Sequence, residues 1–146
     1  MSDKKIIAIS GGADPLHIGH VRMINDAAKY GKVVFILNSD EWLRRKKGYV
    51  FMPWKERAEL LNSFTNIHDV VPVDDHEGTV CEAIRRIAPH YFGNGGDRTD
   101  QNTPERSLCE QLGVELVWGL GGDKVQSSSE LVDTVVDCII KKLKHW

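Results

Sequence analysis

The sequence predicts an α/β protein built on one doubly wound, parallel sheet of five strands in the order 3-2-1-4-5. Short apolar runs alternate with amphipathic helical patterns along all 146 residues, and such alternation is typical of strand–helix–strand units with right-handed crossovers. The first apolar run, 6–9, leads into a glycine-bearing turn and then into a helical pattern. A turn of this kind is typical of the first βα unit in Rossmann-like folds.

Five strands and five helices account for this alternation. The predicted strands are 5–10, 33–38, 69–73, 90–92 and 114–118. The predicted helices are 18–30, 53–62, 79–88, 104–112 and 128–143. Thr103 before Pro104 indicates an N-cap, and Ser127 followed by Glu130 indicates a capping box. Gly31 is predicted to terminate the first helix.

Size and composition predict a single cytoplasmic domain over residues 1–146. A hydrophobic content of 41% with 27% charged residues is typical of a soluble globular chain. The net charge of −2 argues against a nucleic-acid partner. No apolar run approaches the roughly 20 residues of a membrane span, and no signal-peptide pattern precedes the first strand. Cys81, Cys109 and Cys138 form no C-x-x-C pair, so neither a zinc site nor a disulfide framework is favoured.

The turn after the first strand combines glycine with histidine. Gly11 and Gly12 let the backbone turn sharply and approach a ligand closely. The first turn of the following helix leaves free N–H groups and a positive dipole end, which favour a phosphate. His17 and His20 are three residues apart and therefore share one face of that helix start. The pattern predicts a phosphate site at which two imidazoles stabilise negative charge.

These residues resemble the His-x-Gly-His signature of the cytidylyltransferase-like nucleotidyltransferases. Asp14 stands three residues before the first histidine, as in the family. The family's usual Gly-x-Phe-Asp run reads Gly-Gly-Ala-Asp over 11–14, so Ala13 replaces an aromatic side chain of the pocket wall. The resemblance covers nearly the whole chain, with the motifs in the family's order. It implies that the nucleotide is bound at Gly11, Gly12, Ala13, Asp14 and Gly19, with His17 and His20 as catalytic residues.

The predicted topology places a second glycine-rich loop opposite the first. With strand order 3-2-1-4-5, ligands bind at the carboxyl edge between the first and fourth strands. The loop after the fourth strand contains Gly95, Gly96 and Asp97, which we expect at the nucleotide. This triplet resembles the heptose-phosphate adenylyltransferase branch of the family more than the glycerol-phosphate cytidylyltransferases, whose pattern is Gly-Asp-Asp.

A basic segment follows the second strand. Its four consecutive cations, 44–47, could clamp a triphosphate, although a charge run is more often a solvated loop. Their position at the carboxyl edge favours the clamp. Lys46 and Lys47 resemble the family's mobile lysine segment, which implies a catalytic role. Arg57 matches the family's arginine in the next helix and is expected to bind nucleotide, with a surface helix position as the alternative. The acidic run 73–77 is interpreted as a solvated turn.

Three serines open the last predicted helix. The hydroxyls of Ser127, Ser128 and Ser129, with the free N–H groups of a helix start, form a second predicted phosphate cradle. They resemble the family's closing Ser/Thr motif, which often begins with arginine. Lys124 is the nearest cation in this chain, and Arg98 is the alternative donor.

The resemblance implies an enzyme that transfers NMP from an NTP to a phosphorylated sugar or alcohol and releases pyrophosphate. ATP is favoured by the Gly-Gly-Asp triplet, Mg2+ is implied as the counter-ion of the NTP, and a homodimer is expected from the family. The alternatives are a CTP-dependent cytidylyltransferase for glycerol 3-phosphate or a similar polyol phosphate and, in another class, a nucleotide-binding sensor without turnover. A redox dehydrogenase is disfavoured because no G-x-G-x-x-G follows the first strand.

Overall fold

The computed structural model describes residues 5–95, 104–123 and 127–145. The strands are β1 (Ile6–Gly11), β2 (Lys32–Leu37), β3 (Ile67–Val71), β4 (Tyr91–Gly95) and β5 (Glu115–Leu120). The helices are α1 (Ile18–Ala27), α2 (Asp40–Lys47), α3 (Trp54–Asn62), α4 (Cys81–Ile87), α5 (Pro104–Leu112) and α6 (Ser128–Lys144).

The sheet has the predicted architecture. Its order is β3-β2-β1-β4-β5 and every neighbouring pair is parallel. Apolar layers cover both faces of the sheet. Ile9 and Phe35 belong to the buried cluster on one face, whereas Ala8 and Ile36 belong to the cluster on the other. A strand that is buried on both faces has a continuous run of apolar residues. The apolar runs of β1 and β2 therefore predicted these strands from the sequence.

The sheet opens between β1 and β4. In the described pairing, these strands are joined at Ile7 with Tyr91 and at Ala8 with Phe92. Both strands continue beyond these pairs, β1 as far as Gly11 and β4 as far as Gly95. They therefore separate toward their carboxyl ends, and a crevice opens at the position where the strand order reverses.

A helix absent from the predicted set follows β2. It begins after Ser39, whose hydroxyl accepts a hydrogen bond from the backbone N–H of Trp42 at 3.0 Å. Asp40 and Glu41 lie in its first turn and the four cations in its last, which matches the helix dipole. Leu43 is its one buried residue, so the apolar periodicity that predicts a helix is nearly absent. The predicted set of helices therefore omits the helix on which the basic segment lies.

The first helix is shorter than predicted, and Gly31 does not terminate it. The helix ends at Ala27, and Ala28 caps it in the right-handed conformation. Gly31 lies beside the backbone of Lys5, where an added Cβ would overlap the carbonyl group. The glycine is thus required by a close approach of two backbone segments, not by helix termination.

Gly31→Ala should lower the free energy of unfolding by about 1–3 kcal/mol, because the obstructing atoms are backbone and cannot rotate away. Gly11→Ala is the matched control, since its Cβ would meet Phe35 at an ordinary 3.6 Å. Urea denaturation of both variants measures the difference. Equal stabilities of the two variants would contradict the close approach.

Within the described residues, the structure holds no helix long and apolar enough to cross a membrane.

Candidate active site

A cavity of about 420 Å³ lies at the crevice between β1 and β4. This volume is within the range of small-molecule pockets. Loops from four separate parts of the chain meet around it. The predicted residues that line it are Gly11, Gly12, Ala13, His17, Gly19, His20, Lys46, Lys47, Gly95, Ser127, Ser128 and Ser129. Asp14 and Arg57 do not belong to its described lining.

The two histidines cap the helix at which they lie. His17 is the N-cap of α1, and its Nδ1 accepts a hydrogen bond from the backbone N–H of Gly19 at 3.0 Å. The Nδ1 of His20 accepts from the backbone N–H of His17 at 3.1 Å. The ring centroids are 4.0 Å apart. Because each Nδ1 is an acceptor, a neutral ring carries its proton on Nε2.

Electrostatics favour the neutral form of His20. Burial, the neighbouring His17 and the nearby Lys47 together lower the pKa of His20 to about 4, with burial as the largest cause. At neutral pH, His20 therefore offers an Nε2–H donor without a charge. A neutral donor of fixed orientation can stabilise negative charge that develops on a phosphate oxygen.

The glycine turn brings main chain to the cavity, and Asp14 holds that turn in place. Asp14 is fully buried, and its carboxylate accepts backbone hydrogen bonds from Phe51 at 2.6 Å and Met52 at 2.8 Å. It joins the turn after β1 to the segment before α3. Ala13, at φ +49°, has a left-handed conformation and a buried side chain. Asp14 thus contacts the protein's own backbone here, and its contact with nucleotide stays a prediction.

The cations of α2 reach the cavity from its last helical turn. The Nζ of Lys47 donates to the carbonyl oxygen of Asp14 at 3.3 Å. Burial lowers the pKa of Lys47 from its ordinary value, an effect that the charge of Asp14 opposes. The Nζ of Lys46 lies 4.6 Å from the centroid of the Trp42 ring, a cation–π distance. Trp42 also lines the cavity and provides an aromatic wall that was not predicted from the sequence.

Arg57 lies beneath the site. Its side chain is completely buried, so the surface alternative was wrong. Its Nη1 donates to the carbonyl oxygens of Gly12 at 2.7 Å and Asn38 at 2.9 Å. Its Nε donates to the carbonyl oxygen of Met52 at 2.9 Å, and its Nη2 contacts the Asp40 carboxylate at 2.6 Å. The guanidinium therefore connects the loops after β1 and β2 to the start of α2.

A second buried charge, Asp75, also supports α2. One of its carboxylate oxygens accepts from Asn38 Nδ2 at 3.1 Å and from the backbone N–H of Ser39 at 2.8 Å, and the other accepts from the Ser39 hydroxyl at 2.6 Å. Asp75 is 3% exposed. The interpretation of 73–77 as a solvated turn was therefore wrong at Asp75, which anchors the helix start through Ser39.

The serine segment forms the opposite wall. Ser127 is the N-cap of α6, and its hydroxyl accepts from the backbone N–H of Glu130 at 3.0 Å. The hydroxyl of Ser128 donates to the carbonyl oxygen of Pro15 at 2.8 Å. This bond ties the start of α6 to the loop that carries the histidines. The helix N-terminus and the two imidazoles consequently face one cavity.

Other predicted residues lie outside the described ranges, and some lining residues were not predicted. Gly96, Asp97, Arg98 and Lys124 are outside the described residues. The lining further includes Asn38, Trp42, Asn94, Glu105, Gly121, Gly122 and Asp123. Asn38 and Asn94 follow or end apolar strands, so their positions at the carboxyl edge were the signal that could have found them.

The fold and the cavity together define a nucleotidyltransferase-type α/β protein: a doubly wound parallel sheet whose switch point carries two imidazoles, lysines and a helix N-terminus. The family model described as Cytidylyltransferase-like matches residues 8–135, and the chain belongs to this family. The resemblance of the His-x-Gly-His region is thus confirmed.

Relatives and solved structures agree with this membership. The chain is 34% identical to the Bifunctional protein HldE of Geobacter metallireducens over 138 residues, which are 91% of this chain and 27% of that protein. It is also 34% identical to the Bifunctional protein HldE of Pelobacter propionicus over 92% of this chain and 28% of that protein. The chain thus spans about a quarter of the length of these relatives. The crystal structure of a lipopolysaccharide core biosynthesis protein from Thermoplasma volcanium has the same fold, with a TM-score of 0.68 and 19% identity, and covers 82% of this chain and 99% of that one.

His20 should titrate with a midpoint near pH 4 and carry its proton on Nε2 when neutral. The unfolded chain binds this proton near pH 6.5, so between pH 6.5 and 4 it holds more protons than the folded chain. The contribution of His20 to stability is therefore complete above pH 6.5 and is lost as the pH falls toward 4. Nitrogen-15 NMR of the imidazole measures both properties. A midpoint near 6.5 would contradict the burial of the ring, and a proton on Nδ1 would contradict the capping geometry.

Arg57→Lys should lower the free energy of unfolding by about 3 kcal/mol, because an ammonium cannot satisfy four acceptors spread around a planar guanidinium. Arg44→Lys is the matched control on exposed α2 surface and should change stability by less than about 0.5 kcal/mol. Urea denaturation compares them. A small effect at Arg57 would show that the buried guanidinium does not hold the loops.

Proposed function

We propose that this chain transfers NMP from an NTP, with ATP favoured, to a phosphorylated sugar or alcohol and releases pyrophosphate. The observation that carries the proposal is the pair of imidazoles whose Nδ1 atoms are fixed by the backbone at the start of α1, in a cavity that also receives Lys46, Lys47 and the N-terminus of α6. This arrangement supplies neutral donors, cations and a helix dipole to one polyphosphate.

The proposed chemistry is a displacement at the α-phosphorus. A phosphate oxygen of the acceptor forms a bond to this phosphorus while its bond to the oxygen that bridges to the β-phosphate breaks, and pyrophosphate leaves. Such a reaction depends on positioning and on neutralisation of charge more than on a covalent intermediate. The Nε2–H groups of His17 and His20 would donate to phosphate oxygens on which charge develops. Lys46, Lys47 and the serine helix start would hold the triphosphate and the leaving pyrophosphate.

Mg2+ fits this arrangement as a companion of the NTP. Within the described residues, no three His, Cys, Asp or Glu side chains lie together as a metal site. Magnesium commonly takes phosphate oxygens and water as its ligands, so the triphosphate itself would carry the ion. The ion would neutralise charge on the triphosphate. Of the residues that the structure describes, Asp123 and Glu105 are the carboxylates that line the cavity.

The preference for ATP rests on the sequence after β4. Gly95 lines the cavity, and the Gly-Gly-Asp triplet that it begins resembles the heptose-phosphate adenylyltransferase branch. A phosphorylated sugar is the acceptor that this resemblance favours. A pocket that pairs buried polar groups with one base rejects another base by leaving those groups unpaired.

Pyrophosphate release tests the proposal directly. The assay combines each of the four NTPs with phosphorylated heptose, glycerol, ribitol and ethanolamine in the presence of Mg2+. We expect release with ATP and a sugar phosphate. Release with CTP and a polyol phosphate would assign the chain to the cytidylyltransferase alternative. Nucleotide binding by calorimetry without release in any combination would support the sensor.

His17→Ala and His20→Ala should each reduce kcat by about 100–1,000-fold, the usual effect of losing one oriented donor to the transition state. His68→Ala is the matched control, because His68 is exposed on β3 and away from the cavity lining. Steady-state pyrophosphate release measures kcat, and circular dichroism verifies the fold. Near-normal turnover in both cavity variants would overturn the assignment of the site.

A further inference from the structure

The last helix carries an apolar face that the described part of the chain leaves exposed. Ser128 is the one buried residue of α6, Leu131 and Val132 are half-buried, and every position from 133 to 145 is exposed. We define the α6 stripe by its apolar members, which recur three and four residues apart along one face. They are Val132, Val135, Val136, Ile139, Ile140 and Leu143.

This stripe is too apolar to be an ordinary solvated surface. Val135 is 58% exposed, Ile139 51% and Leu143 66%. Apolar positions at this spacing form the seam of paired helices, and a contiguous exposed apolar patch on a chain is a mark of an interaction site. The stripe therefore requires a partner surface.

The charges beside the stripe identify the partner. Asp133, Asp137 and Lys144 are separated by four and seven residues, so they lie in one line along the edge of the stripe. The line is acidic toward the N-terminus of α6 and basic toward its C-terminus, and all three side chains are exposed. An antiparallel copy of the same helix would place Asp133 beside Lys144 of the second copy. A parallel copy would instead place this edge against the opposite edge of the second helix, so Asp133 would not face Lys144.

We propose that α6 pairs in antiparallel orientation with α6 of a second copy of this chain, forming a dimer with twofold symmetry. The two stripes form its apolar centre, and two equivalent contacts between Asp133 and Lys144 of opposite copies flank it. A twofold axis perpendicular to the helices generates this arrangement, since a self-complementary patch meets its own copy. The pairing also gives a specific form to the homodimer expected from the family.

Sedimentation velocity from 1 to 300 µM tests the pairing without nucleotide. Wild type is expected as a dimer across the upper part of this range. Ile139→Glu buries a charge in the seam and should raise the dimer Kd by at least 100-fold. Thr134→Glu adds the same charge on the opposite side of α6 and should leave the dimer intact. Circular dichroism verifies that both variants keep their helices.

A charge exchange tests the orientation. Asp133→Lys should weaken the dimer about tenfold, because each symmetric contact then joins two cations. Adding Lys144→Glu to the same chain reverses both signs and should restore wild-type affinity. In a parallel pair Asp133 and Lys144 of opposite copies do not meet, so an unaffected single variant would overturn the antiparallel arrangement.

Three other outcomes would overturn the pairing itself. Wild type could sediment as a monomer at 300 µM, Ile139→Glu could dimerise like wild type, or Thr134→Glu could dissociate as readily as Ile139→Glu. A monomeric wild type would indicate that the stripe is covered by another segment or another protein. None of these readouts uses turnover, so a failed dimer and a failed nucleotidyltransferase assay are distinguishable.

Discussion

The site depends on the hydrogen bonds at the start of α1, because the imidazoles that face the cavity also cap this helix. A helix start leaves backbone N–H groups without partners inside the helix. Here the Nδ1 of His17 accepts a hydrogen bond from the backbone N–H of Gly19, and the Nδ1 of His20 accepts one from the backbone N–H of His17. The same bonds determine the orientation of each ring and the nitrogen that carries its proton. Local folding and the chemistry of the site are therefore set by the same hydrogen bonds.

Buried charge provides the second level of support. Arg57 joins carbonyl groups of two strand–helix loops, and Asp75 binds the N-cap residue of α2. Isolated buried charges are costly, but hydrogen bonds from several sides offset that cost. These two residues do not line the cavity. They hold the loops whose residues do, and the position of Lys46 and Lys47 depends on the helix start that they stabilise.

The parts of the fold that could be predicted are those encoded by local pattern. The parallel, doubly wound sheet followed from alternation and handedness, and the glycine–histidine turn was recognisable because its residues are adjacent in the sequence. Helix α2 was missed since its stability comes from a cap, a dipole and a buried Leu43 rather than from an apolar face. Asp75 and Trp42 were missed for a different reason. The role of Asp75 depends on Ser39, which is more than 30 residues away in the sequence. The role of Trp42 depends on helix α2, which was not predicted.

The divergence of β1 and β4 has a consequence for how this cavity tolerates mutation. Beyond Ala8 and Phe92 the two strands share no described ladder pair, although both backbones continue alongside the cavity. The main-chain N–H and C=O groups that would otherwise form hydrogen bonds between these strands therefore face the cavity. Recognition by peptide groups is insensitive to side-chain replacement, so this part of the surface can stay constant while the surrounding sequence drifts. Side-chain variation in the outer loops can then change the rim of the cavity without disturbing the floor that the main chain forms.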